Sequence, residues 1–274
     1  RGRLPGWNMR WAARPVRLER DDAAQLRGAA GTLVLFADPF TCDPEELLSA
    51  VGAVAPDLVV VGGMASAARH RGGNRLVLDG AQFVDGAVGV LLDQSVPTQV
   101  VVSQGCRAVG DPMTVTAAER TVVRELAGRP ALERLTETVE RLGPEDRVLA
   151  ATGLQLGRVV QEQRDEFGPG DFLVRGVLGA DHGIGAVAVA DEVPPGTTVQ
   201  FHVRDATTAH EDLVGSLSGL RARGALVFTC TGRGARLFGV PDHDATTVAD
   251  TLDLTSVAGM FCAGELGPVG GANF

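Results

Sequence analysis

The sequence predicts an α+β fold, with mixed, largely antiparallel sheets flanked by helices and arranged as two related halves. Three observations carry this. Short β-branched runs recur along the chain and come in neighbouring pairs. Helical patterns with clear start signals fall singly between them, not in strict βαβ alternation. Of the 274 residues, 45% are apolar and 22% charged, enough to build a sizeable core and too few charges for wholesale disorder.

Taken in order, Thr32–Ala37 and Leu58–Val61 read as strands, separated by a helix that starts at Asp43-Pro44-Glu45-Glu46. There Asp43 is the N-cap, proline occupies the first turn, and Leu47, Leu48 and Val51 form the apolar face. Gly86–Leu92 and Thr98–Ser103 read as a pair of strands turning at Asp93–Pro97. Thr116-Ala117-Ala118-Glu119 has the form of a capping box and predicts a helix to about Ala127. A domain boundary follows near Arg129-Pro130. Pro130–Leu142 then reads as a helix with Leu132, Leu135, Val139 and Leu142 on one face.

Beyond it, Val148–Leu156, Phe172–Leu178 and Gly185–Ala190 read as strands. Thr198–Arg204 alternates cleanly, with Val199, Phe201 and Val203 inward and Gln200, His202 and Arg204 outward. His210–Arg223 predicts a helix, Ala225–Thr229 a strand, Asp244–Leu254 a weaker helix and Val257–Cys262 a last strand. The start at Arg1 and the end at Gly270–Phe274 read as cuts through structured sequence.

Composition excludes several chemistries. The sequence has no lysine, so Schiff-base chemistry, a P-loop and a lysine base are ruled out. A net charge of −9 makes non-specific nucleic-acid binding a poor fit. No apolar run approaches the roughly 20 residues that span a bilayer, so no membrane partner is expected and the chain suits the cytoplasm. Gly183-Ile184-Gly185-Ala186-Val187-Ala188 fits the dinucleotide GxGxxA spacing but runs into a strand pattern, where the motif needs a helix. The cysteines Cys42, Cys106, Cys230 and Cys262 form no CxxC pair, and the five histidines lack metal-ligand spacing.

Polar residues on glycine-rich turns after strands remain. Cys230-Thr231-Gly232-Arg233-Gly234 and Gly259–Pro268 each set one charge, Arg233 or Glu265, between glycines behind an apolar run. Ser103-Gln104-Gly105-Cys106-Arg107 is a third such loop. Arg233 suits a carboxylate and Glu265 an ammonium, with backbone N–H groups near Gly105, Gly232 and Gly234 completing a cage in a cleft between the halves. The two charges equally suit a fixed ion pair with each other. The expected ligand-binding set is Arg233, Glu265, Ser103, Gln104, Cys106, Arg107, Cys230 and Asn273, with no catalytic or metal-ligating residues.

At these residues the chain resembles the FIST family, a sensory domain with N- and C-terminal parts. Val61–Ser66, Gly86–Leu92 and Val101–Gly110 resemble the N-terminal part, and Asp171–Gly179, Val199–Asp205, Cys230–Gly239 and Gly259–Pro268 the C-terminal part. The parts would span 1–129, incomplete at its start, and 130–274, with its last strand missing. The resemblance implies an intracellular, non-enzymatic sensor of a small polar ligand, an amino acid or related metabolite, that signals through a protein partner. Two alternatives stay open. One is a haem-dependent gas sensor using His182, His202 or Cys106, and the other an enzyme with a Cys106 or Cys230 nucleophile. The leading expectation has no cofactor.

Overall fold

The computed structural model describes residues 13–19, 23–163, 167–168 and 170–274. Arg1, read as a cut end, lies outside them. The chain forms two compact units: one takes the chain up to Val102 together with Arg221–Phe274, the other is Ser103–Leu220. The boundary read at Arg129-Pro130 falls within the second unit.

The first unit begins with β1 (Ala13–Leu18), β2 (Gly31–Ala37), α1 (Pro44–Val54) and β3 (Leu58–Met64). A small hairpin, β4 (Leu76–Leu78) and β5 (Ala81–Phe83), precedes β6 (Ala87–Asp93). The order is β1-β6-β2-β3, with β2 and β3 parallel and the other pairs antiparallel. Parallel β2 and β3 need a crossover, and α1 supplies it. Asp43 caps α1 as the sequence predicts, accepting from the N–H groups of Glu45 and Glu46. Leu47 and Val51 pack with Leu33, Leu35, Leu58 and Val60 in one buried core. Each such side chain contributes about 1.5–3 kcal/mol by leaving water.

The second unit contains β7 (Cys106–Glu119), β8 (Val122–Leu126), β9 (Arg129–Pro130), α2 (Ala131–Arg141), α3 (Pro144–Thr152), β10 (Leu154–Val159), β11 (Phe172–Asp181), β12 (Ala186–Val189), β13 (Thr198–Arg204) and α4 (Ala206–Leu217). Its sheet runs β12-β11-β10-β13-β7-β8-β9, and β12 also pairs with β8. Six antiparallel strands therefore close into a ring, which removes open edges. Phe201, Val199, Val203, Val115, Leu126 and Val187 fill its core.

The chain then returns to the first unit. β14 (Ala225–Cys230) leads through a 3-10 turn at Thr231–Arg233 into α5 (Ala235–Phe238) and α6 (His243–Leu252), and β15 (Val257–Cys262) pairs parallel to β14. β16 (Glu265–Leu266) joins the outer edge of β3, and β17 (Pro268–Val269) and β18 (Ala272–Asn273) form a closing hairpin.

Several expectations are corrected. The helix expected from Thr116 is the hairpin β7–β8, turning at Arg120 with φ 52°. The Thr116 hydroxyl works across that hairpin, bonding Glu125 and the Gly128 N–H, instead of capping a helix. Val148–Thr152 belongs to α3, which has Pro144 at its first turn and acids Glu145 and Asp146 behind it; the strand starts only at Leu154. Thr98–Ser103 forms no strand, because β6 already pairs with β1 on one side and β2 on the other. The helix expected from His210 starts four residues earlier, at Ala206, where Asp205 caps it.

His202 is buried, not solvent-facing. Its ring meets Phe172 edge-on at 4.9 Å, and a side chain at Gly157 would come within 2.5 Å of its Cε1. Glycine at 157 makes the room that lets the imidazole inside.

Candidate functional site

β14 ends in a polar cluster held within the first unit. Its β-branched and aromatic residues favour a strand, and Gly259 lets β15 approach, since a Cβ there would lie 1.9 Å from the Val227 carbonyl oxygen. At the strand end, Cys230 caps the 3-10 turn by accepting from the Gly232 N–H at 3.4 Å. That turn presents Arg233. Gly239, with φ 73°, ends α5 and redirects the chain toward α6.

Arg233 grips Asp244 with a two-point fork: Nε donates to Oδ2 at 2.7 Å and Nη2 to Oδ1 at 3.0 Å. The Thr229 hydroxyl donates to the same Oδ2 at 2.7 Å, and His243 Nδ1 lies 3.0 Å from Oδ1. The Phe238 ring stacks on His243 at 3.6 Å, with the Arg233 guanidinium 5.4 Å from its centroid. The Arg233 and Asp244 side chains are only 10% and 7% exposed. Burial pushes the Asp244 carboxyl up, but the hydrogen bonds from Arg233 and Thr229 outweigh it and hold the group below its ordinary value. The third guanidinium nitrogen, Nη1, is buried and has no hydrogen-bond partner among the described residues.

Arg233 therefore pairs with Asp244 rather than Glu265. Glu265 is exposed on β16, opposite Gly63. Asn273, expected to hold ligand, has its amide engaged elsewhere: Oδ1 accepts from the Val60 N–H at 3.0 Å and Nδ2 donates to the Leu58 carbonyl at 2.8 Å. It serves the edge of β3 as a second strand would. Cys230 and Cys262 are register partners at the ends of β14 and β15.

The other four expected residues lie in the second unit. Ser103 Oγ is buried without a hydrogen-bond partner among the described residues, and Gln104 donates to the Phe172 carbonyl at 2.7 Å. Cys106 opens β7 opposite Arg204. Arg107 is committed to Asp146 on α3 and to Asp205, the cap of α4. Of the histidines raised as axial ligands, His182 sits in the turn after β11 and His202 is packed as described above. Among the described residues no group of three or more His, Cys, Asp or Glu side chains is placed to hold a metal ion.

Sequence reasoning missed Asp244, Thr229, Phe238 and His243. The available signal was the pair His243-Asp244 just before an apolar-periodic segment, behind a glycine-ended turn.

The architecture defines a two-part α+β domain whose C-terminal segment completes the N-terminal sheet. The FIST N domain matches residues 8–129 and the FIST C domain residues 131–268. The chain belongs to the FIST family. It is 45% identical over 256 residues to the uncharacterized protein Mb0898c of Mycobacterium bovis, covering 90% of this chain and 65% of that protein. It is likewise 45% identical over 246 residues to the uncharacterized protein Rv0628c of Mycobacterium tuberculosis, covering 88% of this chain and 64% of that one. The chain thus spans just under two thirds of the length of these relatives. No helix among the described residues is long and apolar enough to cross a membrane.

Proposed function

We propose that this chain is a sensory domain that binds a small polar metabolite carrying a carboxylate, an amino acid or organic acid, at the turn after β14. Membership of the FIST family supports the sensory role. The observation that carries the site is the Nη1 donor of Arg233, buried and without a hydrogen-bond partner among the described residues. Two of the three guanidinium nitrogens are fixed by Asp244, so the third is held in place before any ligand arrives. A carboxylate oxygen meeting it forms a charge-assisted hydrogen bond where water competes weakly. Gly232 and Gly234 flank Arg233 and give the turn the backbone freedom to admit the ligand. Occupancy then passes to a signalling protein through a change in this turn.

The test is a panel of amino acids and organic acids screened by thermal shift, with calorimetry of any hit, on the chain and on Arg233→Met. A ligand at 100 times its Kd raises stability by about 2.7 kcal/mol. The expected result is at least one saturable binder weakened tenfold or more by Arg233→Met. A panel with no binder, or a binder indifferent to Arg233, overturns the proposal.

A further inference from the structure

Cys230 and Cys262 are the last residues of β14 and β15 and sit directly opposite each other in a parallel ladder. Neighbouring strands lie about 4.8 Å apart, and register partners project to the same face. Disulfides bridge Cα atoms about 4.4–6.8 Å apart, so this pair already stands at bonding separation. Both strands end at these residues: Thr231–Arg233 turns away after one and Ala263-Gly264 after the other. Each cysteine therefore has a strand end beside it that can adjust its backbone.

We infer that Cys230 and Cys262 form a reversible disulfide that resets the Arg233 turn. The two thiols are unequal. Cys230 is half-buried, whereas Cys262 is wholly buried, over Gly63, where a Cβ would come within 2.4 Å of its Sγ. The accessible Cys230 meets the oxidant, hydrogen peroxide. Its thiolate attacks one peroxide oxygen, the O–O bond breaks, and the other oxygen leaves as water once protonated, giving a sulfenic acid. The Cys262 thiolate then attacks that sulfur, the S–S bond forms, and the sulfenic oxygen leaves as a second water. Two thiols and one hydrogen peroxide thus give one disulfide and two waters.

Burial first, then the nearby Glu265 and Cys230, push the Cys262 thiol up to about 12. Its thiolate is scarce at neutral pH, so closure is the slow step and accelerates as pH rises. The consequence follows from Cys230 itself. Its Sγ accepts the Gly232 N–H and so caps the 3-10 turn carrying Arg233. A sulfur drawn to Cys262 gives up that role, and the grip of Arg233 on Asp244 loosens. The disulfide stands without the ligand reading, and its detection does not depend on any ligand.

The experiment treats the chain with hydrogen peroxide, blocks remaining thiols under denaturing conditions and maps tryptic peptides by mass. With arginine the only tryptic site, Cys230 lies on peptide 224–233 and Cys262 on peptide 237–274. The expected product is these two peptides joined, about 2 Da lighter than their reduced sum and separated by reductant. It forms in a Cys42→Ser/Cys106→Ser variant, which retains the pair, and not in Cys230→Ser. Cys230 recovered as sulfinic acid without a link, or a link confined to other cysteines, overturns the inference.

Discussion

Replacing Asp244 by alanine tests the cluster at the end of β14. The change strands a guanidinium that is 10% exposed and removes the acceptor for both Nε and Nη2, leaving all three nitrogens unpaired together with the Thr229 hydroxyl. Breaking a buried pair by deleting one partner costs about 3–5 kcal/mol. At about 2–4 °C per kcal/mol for a unit of this size, the melting temperature should fall by about 6–20 °C. Thermal and urea melts followed by circular dichroism measure this. Arg233→Met/Asp244→Leu, which removes both charges and keeps the volume, should recover most of the loss. The sign of the acid response is also fixed. The folded carboxyl titrates below its ordinary value, so its stabilisation is complete above about pH 4 and disappears as pH falls through the lower folded value. A fall of less than 2 °C for Asp244→Ala, or a double variant no more stable than the single one, refutes this account.

Three further outcomes are expected. Asn273→Ala frees the Val60 N–H and the Leu58 carbonyl and should cost about 2–3 kcal/mol by denaturant midpoint, whereas a surface role for Asn273 would give less than 0.5 kcal/mol. Ser103→Ala removes a buried hydroxyl with no partner among the described residues and should be neutral or stabilising by up to about 1 kcal/mol; a clear loss of stability would show the hydroxyl to be engaged. Burial holds the His202 imidazole below its ordinary value of about 6.5, despite the hydrogen bond at the Gln200 carbonyl. Stability linked to it is complete above that value and declines as pH falls below it, and His202→Gln should flatten a melt series between pH 7 and 5.

The sequence made much of the fold legible where local signals and tertiary packing agree. Asp43-Pro44 marks α1, and the alternation of Thr198–Arg204 marks β13 to the residue. It misled where one local signal served two structures. Thr-x-x-Glu at Thr116 caps helices elsewhere, yet here the dense β-branched residues and the closing of the ring decide for strands. Gly143-Pro144-Glu145-Asp146 repeats the start signal of α1 and was legible, but the apolar run behind it was read as a strand. At the site, Arg233 stood out because glycines flank it, and Cys230 because it ends an apolar run just before them. Asp244 did not, because its partner lies eleven positions earlier, across a helical turn that only the folded chain closes.

The outer edge of β3 has a consequence for how the protein is made. Met64 bonds Ala263 and Gly264, Gly62 and Gly63 pair with β16, and Val60 and Leu58 meet the Asn273 amide. Every one of those partners is synthesised about 200 residues later, a wait of roughly 10–40 s at ribosomal rates. Throughout it the second unit, contiguous in sequence, is free to fold as it emerges, while an apolar strand stands with one side unzipped. The nascent chain is therefore most exposed to mispairing between the emergence of β3 and the arrival of residues 263–273, and a chaperone that shields that edge would act in this interval.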